Sequence, residues 1–262
     1  MPSVCLSGGG VKGIAHLGVL DALNEEGISF EAFSGTSFGA LIACALNKGI
    51  SSDEIIKMTT EFSIYNLSGI AWKTSGIFDH KIVGQKLFEI FGDTRIEDLK
   101  NETWICYTNF DKGEPVYINK GLIVDSLLAS MSIPGLFLPV KIDGFNCYDG
   151  GLTDNLPVTP LINSGKKQIV GLNCNPRLSK RQKNSIKDIL ERTFLLIVNG
   201  NVLPQTNKCD VYFELEPMAD IKPLDFSSAR DIYQSGYDYT KQHLEKFKTI
   251  LPNNNEFRYI SK

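Results

Sequence analysis

Histidine is scarce in this 262-residue chain: His16, His80 and His243 are the whole supply, so imidazole chemistry has few places to arise. The six cysteines, Cys5, Cys44, Cys106, Cys147, Cys174 and Cys209, form no CxxC pair and stand at no zinc-ligand spacing from a histidine. The sequence therefore makes no case for a metal. No apolar run approaches the roughly twenty residues that span a bilayer, and Met1-Pro2-Ser3-Val4 enters a strand-like run instead of a basic then apolar leader. Neither sign of charge is in excess. A net charge of -3 offers no basic surface for nucleic acid. Internal repeats and low-complexity tracts are also missing. These absences predict a soluble single domain over residues 1–262 that needs no cofactor. Its cysteines are expected as buried free thiols in the cytoplasm, with disulfides after leaderless export as the other open reading.

The chain does have apolar content, 42% of its residues, which suffices for one sizeable core. Val4-Cys5-Leu6 reads as a buried strand broken by glycines. Ile14 to Glu26 has helical spacing, Phe30 to Phe33 reads as a second strand, and Phe38 to Lys48 as a second helix. This alternation predicts an α/β protein with a largely parallel sheet. A further helix starts near Ser52, and another runs from Asp79 to Phe91. Thr103 to Thr108 and Pro115 to Ile118 flank a turn and read as a hairpin or as two edge strands. Later come helices over Ile123 to Met131, Ser185 to Leu203 and Ser227 to Phe247, with strands over Gln168 to Leu172 and Val211 to Leu215. The apolar but irregular stretch Glu61 to Phe78 reads as core packing or as a cover over a site. Residues after Pro252 read as a frayed tail.

Two glycine motifs carry the chemistry. Gly35-Thr36-Ser37-Phe38-Gly39 sits between a strand and a helix, where Gly35 and Gly39 allow a strained turn that projects the Ser37 hydroxyl. Ser37 also meets the positive end of the following helix. Ser7-Gly8-Gly9-Gly10-Val11-Lys12-Gly13 lies between the first strand and first helix, and its small residues let backbone N–H groups approach a reacting carbonyl oxygen. The same run contains a GxGxxG pattern, so a dinucleotide site is the competing reading, with Glu31 as the nearest ribose contact. Lys12 is expected at the surface, or paired with an acidic group or a lipid headgroup.

An activated serine needs a base. His243 would complete a triad in the chain order Ser37, Asp149, His243, but it lies deep in the closing helix. His16 reads as helix packing and His80 as exposed. A carboxylate remains: Asp149, followed by Gly150 and Gly151, which allow a sharp turn. Desolvation by an apolar acyl chain and the covering segment would raise its pKa from the ordinary value of about 4 and make it a usable base. Asp154 and Asn155 read as turn stabilisers.

Together these motifs resemble those of the patatin-like phospholipases, as does the run Ser130-Met131-Ser132-Ile133-Pro134-Gly135-Leu136-Phe137-Leu138-Pro139-Val140. The resemblance spans Val4 to about Phe247. It implies a three-layer α/β/α fold with a central, mostly parallel sheet, and a Ser37–Asp149 dyad without a catalytic histidine. It also implies an oxyanion hole at Gly8, Gly9 and Gly10, in which Gly9 and Gly10 donate while Gly8 supports the turn. The implied substrate is a phospholipid or other glycerolipid. Val11 and Phe38 are larger than the family's usual residues and are expected to narrow the acyl pocket. Arg177, Lys180, Arg181, Lys183 and Lys187 form a basic stretch that suits either a solvated helix start or peripheral contact with anionic lipid. A lipid-binding module without turnover is the remaining alternative.

Overall fold

The computed structural model describes residues 1–68, 80–176, 186–222 and 226–250. Its centre is an eight-stranded sheet: β1 (Ser3–Leu6), β2 (Ala32–Thr36), β3 (Glu102–Asn109), β4 (Glu114–Ile118), β5 (Val140–Ile142), β6 (Phe145–Asp149), β7 (Ile169–Asn173) and β8 (Val211–Glu214). The strand order is β5-β6-β3-β2-β1-β7-β8, with β4 paired to β3. The pairs β1–β2, β1–β7, β2–β3 and β7–β8 are parallel, and the three pairs around β4, β5 and β6 are antiparallel.

Helices cover both faces, giving the three-layer α/β/α arrangement. They are α1 (Ile14–Glu25), α2 (Phe38–Asn47), α3 (Ser52–Ser68), α4 (His80–Phe91), α5 (Ile123–Ser130), α6 (Thr159–Asn163), α7 (Ile186–Thr206) and α8 (Ala229–Gln242). Strand alternation sorts the core into two parts. On one face Val4 and Leu6 of β1 join Leu17 and Leu23 of α1, Ile42 of α2 and Ile232 of α8. On the other, Cys5 joins Leu161 of α6 and Val202 of α7. A smaller cluster of Tyr107, Ala129 and Cys147 fills the space under the antiparallel strands.

Most elements fall where the periodicity puts them, with three instructive differences. The second strand begins at Ala32 and runs to Thr36, because its register is set by pairing with Ser3–Leu6 and Glu102–Cys106. Phe30, read as strand, instead packs its ring against Phe33 at 6.1 Å. The closing helix ends at Gln242, and a 3₁₀ turn over Leu244–Phe247 follows it. Third, α7 runs through Pro204 to Thr206. All six cysteines are free, five of them buried. Among the described residues no helix is long and apolar enough to cross a membrane. Residues 69–78 of the suggested cover, Asp79 at the expected helix start, residues 177–185 of the basic stretch, the Lys187 side chain and the tail after Pro252 lie outside what the structure describes.

Helices α1 and α8 cross at two glycines. A Cβ on Gly18 would run into the Tyr233 carbonyl oxygen and come within 2.6 Å of the Tyr237 nitrogen; one on Gly236 would meet the Ala15 backbone. Backbone cannot yield as a side-chain tip can. Gly18→Ala and Gly236→Ala are each expected to destabilise the fold by about 2 kcal/mol, read from denaturant midpoints.

Candidate active site

The register of β3 brings the two motif residues together. Ile105 and Cys106 pair with both β2 and β4, whereas Tyr107 to Asn109 pair with both β4 and β6. A strand has two edges, so β2 and β6 share one of them, end to end. Thr36 lies opposite Cys106 and Asp149 opposite Tyr107, on consecutive residues of the same strand. Ser37 and Asp149, 112 positions apart in sequence, meet where these two strand ends converge.

Ser37 occupies a strained elbow with φ 53° and ψ -124°, a conformation disfavoured for a residue with a side chain. The flanking glycines are required by close packing: a Cβ on Gly35 would sit 2.6 Å from the Ala40 nitrogen, and one on Gly39 2.5 Å from the Leu6 carbonyl oxygen. Although it caps α2, the Ser37 side chain makes no capping hydrogen bond, so its hydroxyl is not spent there. The Ser37 N–H donates to Ser130 Oγ at 2.8 Å, and Ser130 Oγ donates to the Cys106 carbonyl at 2.6 Å. That serine holds the elbow to β3.

Asp149 is 2% exposed and Ser37 7%. Burial pushes the Asp149 pKa up to about 7; the Gly151 N–H, 2.7 Å from Oδ1, and the Ser37 side chain oppose that rise by hydrogen bonding to the carboxylate. The Asp149 backbone is fixed by its N–H to the Ser132 carbonyl (2.9 Å) and by Thr108 Oγ1 donating to its carbonyl (2.9 Å). Gly150 follows because a Cβ there would stand 2.6 Å from the Cys106 carbonyl oxygen.

The glycine loop lies beside this pair: a Cβ on Gly8 would be 3.1 Å from Ser37 Cβ. The Gly8 N–H donates to the Asn155 carbonyl at 3.3 Å, so Gly8 is committed to holding the loop. The Gly9 and Gly10 N–H groups make no backbone hydrogen bond among the described residues. Gly13 lies under the Phe38 ring, where a Cβ would come within 2.8 Å of Phe38 Cδ1.

The structure corrects the expected exposure of Lys12 and His80, and it leaves His16 and His243 in the packing roles expected of them. Lys12 is 3% exposed, close enough to Cys174 to oppose the rise that burial gives that thiol's pKa. Val11 and Phe38 belong to the main core, Phe38 against Gly13. His80 is half-buried, hydrogen-bonded to Ser132 Oγ at 2.8 Å and stacked on Phe137. His16 is buried with Nε2 on the Ser7 carbonyl (3.0 Å), its pKa lowered to about 4 by burial. His243 hydrogen-bonds the Tyr239 carbonyl and packs near Phe213. Glu31 precedes β2 and pairs with Lys166, at the opposite strand end from the glycine loop, so the ribose contact of a dinucleotide site is missing. Asp154 and Asn155 do more than shape a turn. The Asp154 carbonyl accepts Thr36 Oγ1 at 2.8 Å and its carboxylate accepts Tyr117 OH at 2.7 Å.

Sequence reasoning missed Ser130, Asn175 and Asn201. The available signal was position: Asn173-Cys174-Asn175 follows the carboxyl end of a buried parallel strand, where sites in such sheets gather. Ser130 stood inside a motif already singled out.

Asp149 is expected to make stability fall with pH. Its native pKa lies above the unfolded value, so between about pH 4 and 7 the native state holds a proton that the unfolded state has released. Its favourable contribution is complete below the unfolded pKa and is lost as pH rises through about 7. Asp149→Asn, which keeps an acceptor for Gly151, should therefore be more stable than wild type at pH 8 by up to about 4 kcal/mol. The two should converge near pH 4, as measured by urea denaturation across pH.

Comparison with known proteins agrees with this geometry. The profile described as "Patatin-like phospholipase" matches residues 4–162. The chain is 28% identical over 277 residues to lysophospholipase nte1 of Neosartorya fischeri and 27% identical over 271 residues to lysophospholipase NTE1 of Saccharomyces cerevisiae. These matches cover 93% and 92% of the chain but 18% and 16% of the relatives, so the chain spans less than a fifth of their length. The crystal structure of VipD from Legionella pneumophila superposes with a TM-score of 0.54 at 16% identity, covering 93% of this chain and 66% of that one; this similarity concerns the fold alone. With the profile covering more than half of its length, the chain belongs to the patatin-like phospholipase family, a family of lipid hydrolases.

Proposed function

We propose that this protein hydrolyses carboxylic esters of glycerolipids, as a phospholipase A or lysophospholipase, through an acyl-Ser37 intermediate. The observation that carries the reading is the meeting of a strained, uncapped serine with a buried aspartate whose proton affinity suits neutral pH. The lysophospholipases among its relatives favour lysophospholipids as the first substrates to test.

In the proposed course, Ser37 Oγ attacks the ester carbonyl carbon as its proton passes to Asp149. The carbonyl π electrons move to oxygen, and the Gly9 and Gly10 N–H groups face that oxyanion. Collapse breaks the bond to the glycerol oxygen, which takes the proton from Asp149. Water then attacks the acyl-Ser37 ester, giving its proton to Asp149, and the fatty acid leaves as Ser37 regains its hydrogen. Each proton balances between two oxygens, and the chain's own groups suffice for the steps.

The lipid is the partner this reading requires. A cytoplasmic protein working at the edge of a membrane fits it, and the basic stretch from Arg177 to Lys187 is the proposed contact with anionic lipid.

Fatty-acid release from lysophosphatidylcholine and phosphatidylcholine tests the reading. Ser37→Ala and Asp149→Asn are each expected to lower kcat by about 10⁴-fold, and a fluorophosphonate should label wild type but not Ser37→Ala. Because the base must be ionised, wild-type kcat/KM should rise with pH to a plateau, with its midpoint near 7. Turnover retained in Ser37→Ala overturns the proposal.

A further inference from the structure

We infer that Asn175 and Asn155 are positioning residues that aim the Gly9 N–H at the developing oxyanion, an inference that rests on the hydrolase reading above. The Gly8 carbonyl accepts hydrogen bonds from Asn155 Nδ2 at 3.3 Å, from Asn175 Nδ2, and from Cys174 Sγ at 3.4 Å. Three donors converge on an oxygen with two lone pairs. A carbonyl can only accept, so each asparagine must turn its NH₂ towards it, which settles the amide orientation.

The consequence follows from peptide planarity. Among the described residues no peptide bond is cis, and in a trans peptide the N–H of residue 9 points opposite to the C=O of residue 8. Donors that draw the Gly8 carbonyl inward therefore turn the Gly9 N–H outward, on the side away from the asparagines. Rotation of this one peptide would remove the donor from the site. Asn155 restrains it further by accepting the Gly8 N–H on its own carbonyl at 3.3 Å, so it grips both sides of Gly8.

Each asparagine is itself braced. The Asn155 N–H donates to Asn201 Oδ1 at 2.8 Å, while Asn201 Nδ2 donates to the Gly151 carbonyl at 2.8 Å, joining the loop of the base to the glycine loop. The Asn175 N–H donates to Asn173 Oδ1 at 3.0 Å. Both side chains are buried, and Asn175 Oδ1 has no partner among the described residues. A buried, unpaired acceptor is costly. Retaining it makes sense where the amide's other end has work that leucine or alanine could not do. Space is equally tight: a Cβ on Gly9 would lie 2.6 Å from Cys174 Sγ and 3.0 Å from both Asn175 amide atoms.

The test uses Asn175→Leu, close in shape but without the donor, and Asn175→Ser as a second variant, each verified as folded by near-UV circular dichroism. For lysophosphatidylcholine hydrolysis, kcat is expected to fall about 10- to 100-fold, with KM within about twofold and the pH midpoint set by Asp149 unchanged. A fatty-acyl trifluoromethyl ketone, which forms a hemiketal oxyanion on Ser37, should bind weaker by a similar factor, while oleyl alcohol, which carries no negative oxygen, should bind as in wild type. Unchanged kcat and ketone affinity in the folded variants overturn the inference. So does a loss confined to KM, or a displaced pH midpoint, since these would place Asn175 in substrate binding or in the surroundings of Asp149. A wild-type protein whose Ser37 neither turns over lipid ester nor reacts with fluorophosphonate overturns the hydrolase reading itself, and this inference with it.

Discussion

The site depends on a single backbone arrangement: two strands of opposite direction end against each other on one edge of β3. Thr36 and Asp149 take neighbouring places opposite Cys106 and Tyr107, so the sheet's own hydrogen bonds determine the distance between the residues that follow and precede the gap. Side chains then refine what the ladder sets. The hydroxyl of Ser130 spans the gap, accepting from the Ser37 N–H and donating to the Cys106 carbonyl. The next turn residue but one, Ser132, receives the Asp149 N–H on its carbonyl. The end of α5 thus touches the backbone on both sides of the junction. Gly150 completes the arrangement, because its α-carbon passes so close to the Cys106 carbonyl that a methyl group has no room.

Such a junction is costly to build. Ser37 holds a positive φ, Asp149 is almost wholly removed from water, and Asp154 beside it has its pKa raised to about 6 by burial. Strain at one residue is of order 1–3 kcal/mol, and a carboxylate kept from water at neutral pH costs at least as much again. Both penalties oppose folding at the place where the chain is most constrained. Apolar packing on both faces of the sheet offsets them, with β1 contributing alternate side chains to each core. The close crossing of α1 and α8 at Gly18 and Gly236 anchors the helix that leaves the glycine loop.

What was legible in the sequence was local. Glycine spacing around Ser37, the doublet after Asp149 and the loop after the first strand each carry a conformational demand that side-chain size alone reveals. Helical and strand periods gave the α/β order, and the hairpin around Asp111-Lys112-Gly113-Glu114 was readable from its turn. Long-range hydrogen bonds were not. Asn155 and Asn175 reach Gly8 from 147 and 167 residues away, and nothing in their immediate neighbours distinguishes them from turn asparagines. Lys12 was misplaced for a related reason. Its charge predicts exposure, and only the three-dimensional neighbourhood shows the side chain under cover. β2 runs on past Phe33 because pairing on both sides overrides the weak strand preference of Ser34 and Gly35.

A reaction that runs from Ser37 to Asp149 with no imidazole between them, as proposed above, has an electrostatic logic. A histidine base starts neutral and becomes a cation as the oxyanion forms, so attack separates charge inside a dry site. In the chemistry proposed here the charge already exists on Asp149, and attack moves it a few ångströms to the carbonyl oxygen while the carboxyl becomes neutral. Relocating one charge in a medium of low dielectric constant costs less than creating two, provided that the destination solvates it as well as the origin. Burial equips the origin, since a carboxylate with a pKa of about 7 has nearly the proton affinity of an ordinary imidazole. The destination must then be built from backbone N–H groups held rigidly in place. This explains why a loop of three glycines is clasped from behind by asparagines when the base itself needs no more than the Gly151 N–H and the serine it serves. In the proposed reaction, the rigidity of the glycine loop is the counterpart of a base that is charged before the reaction begins.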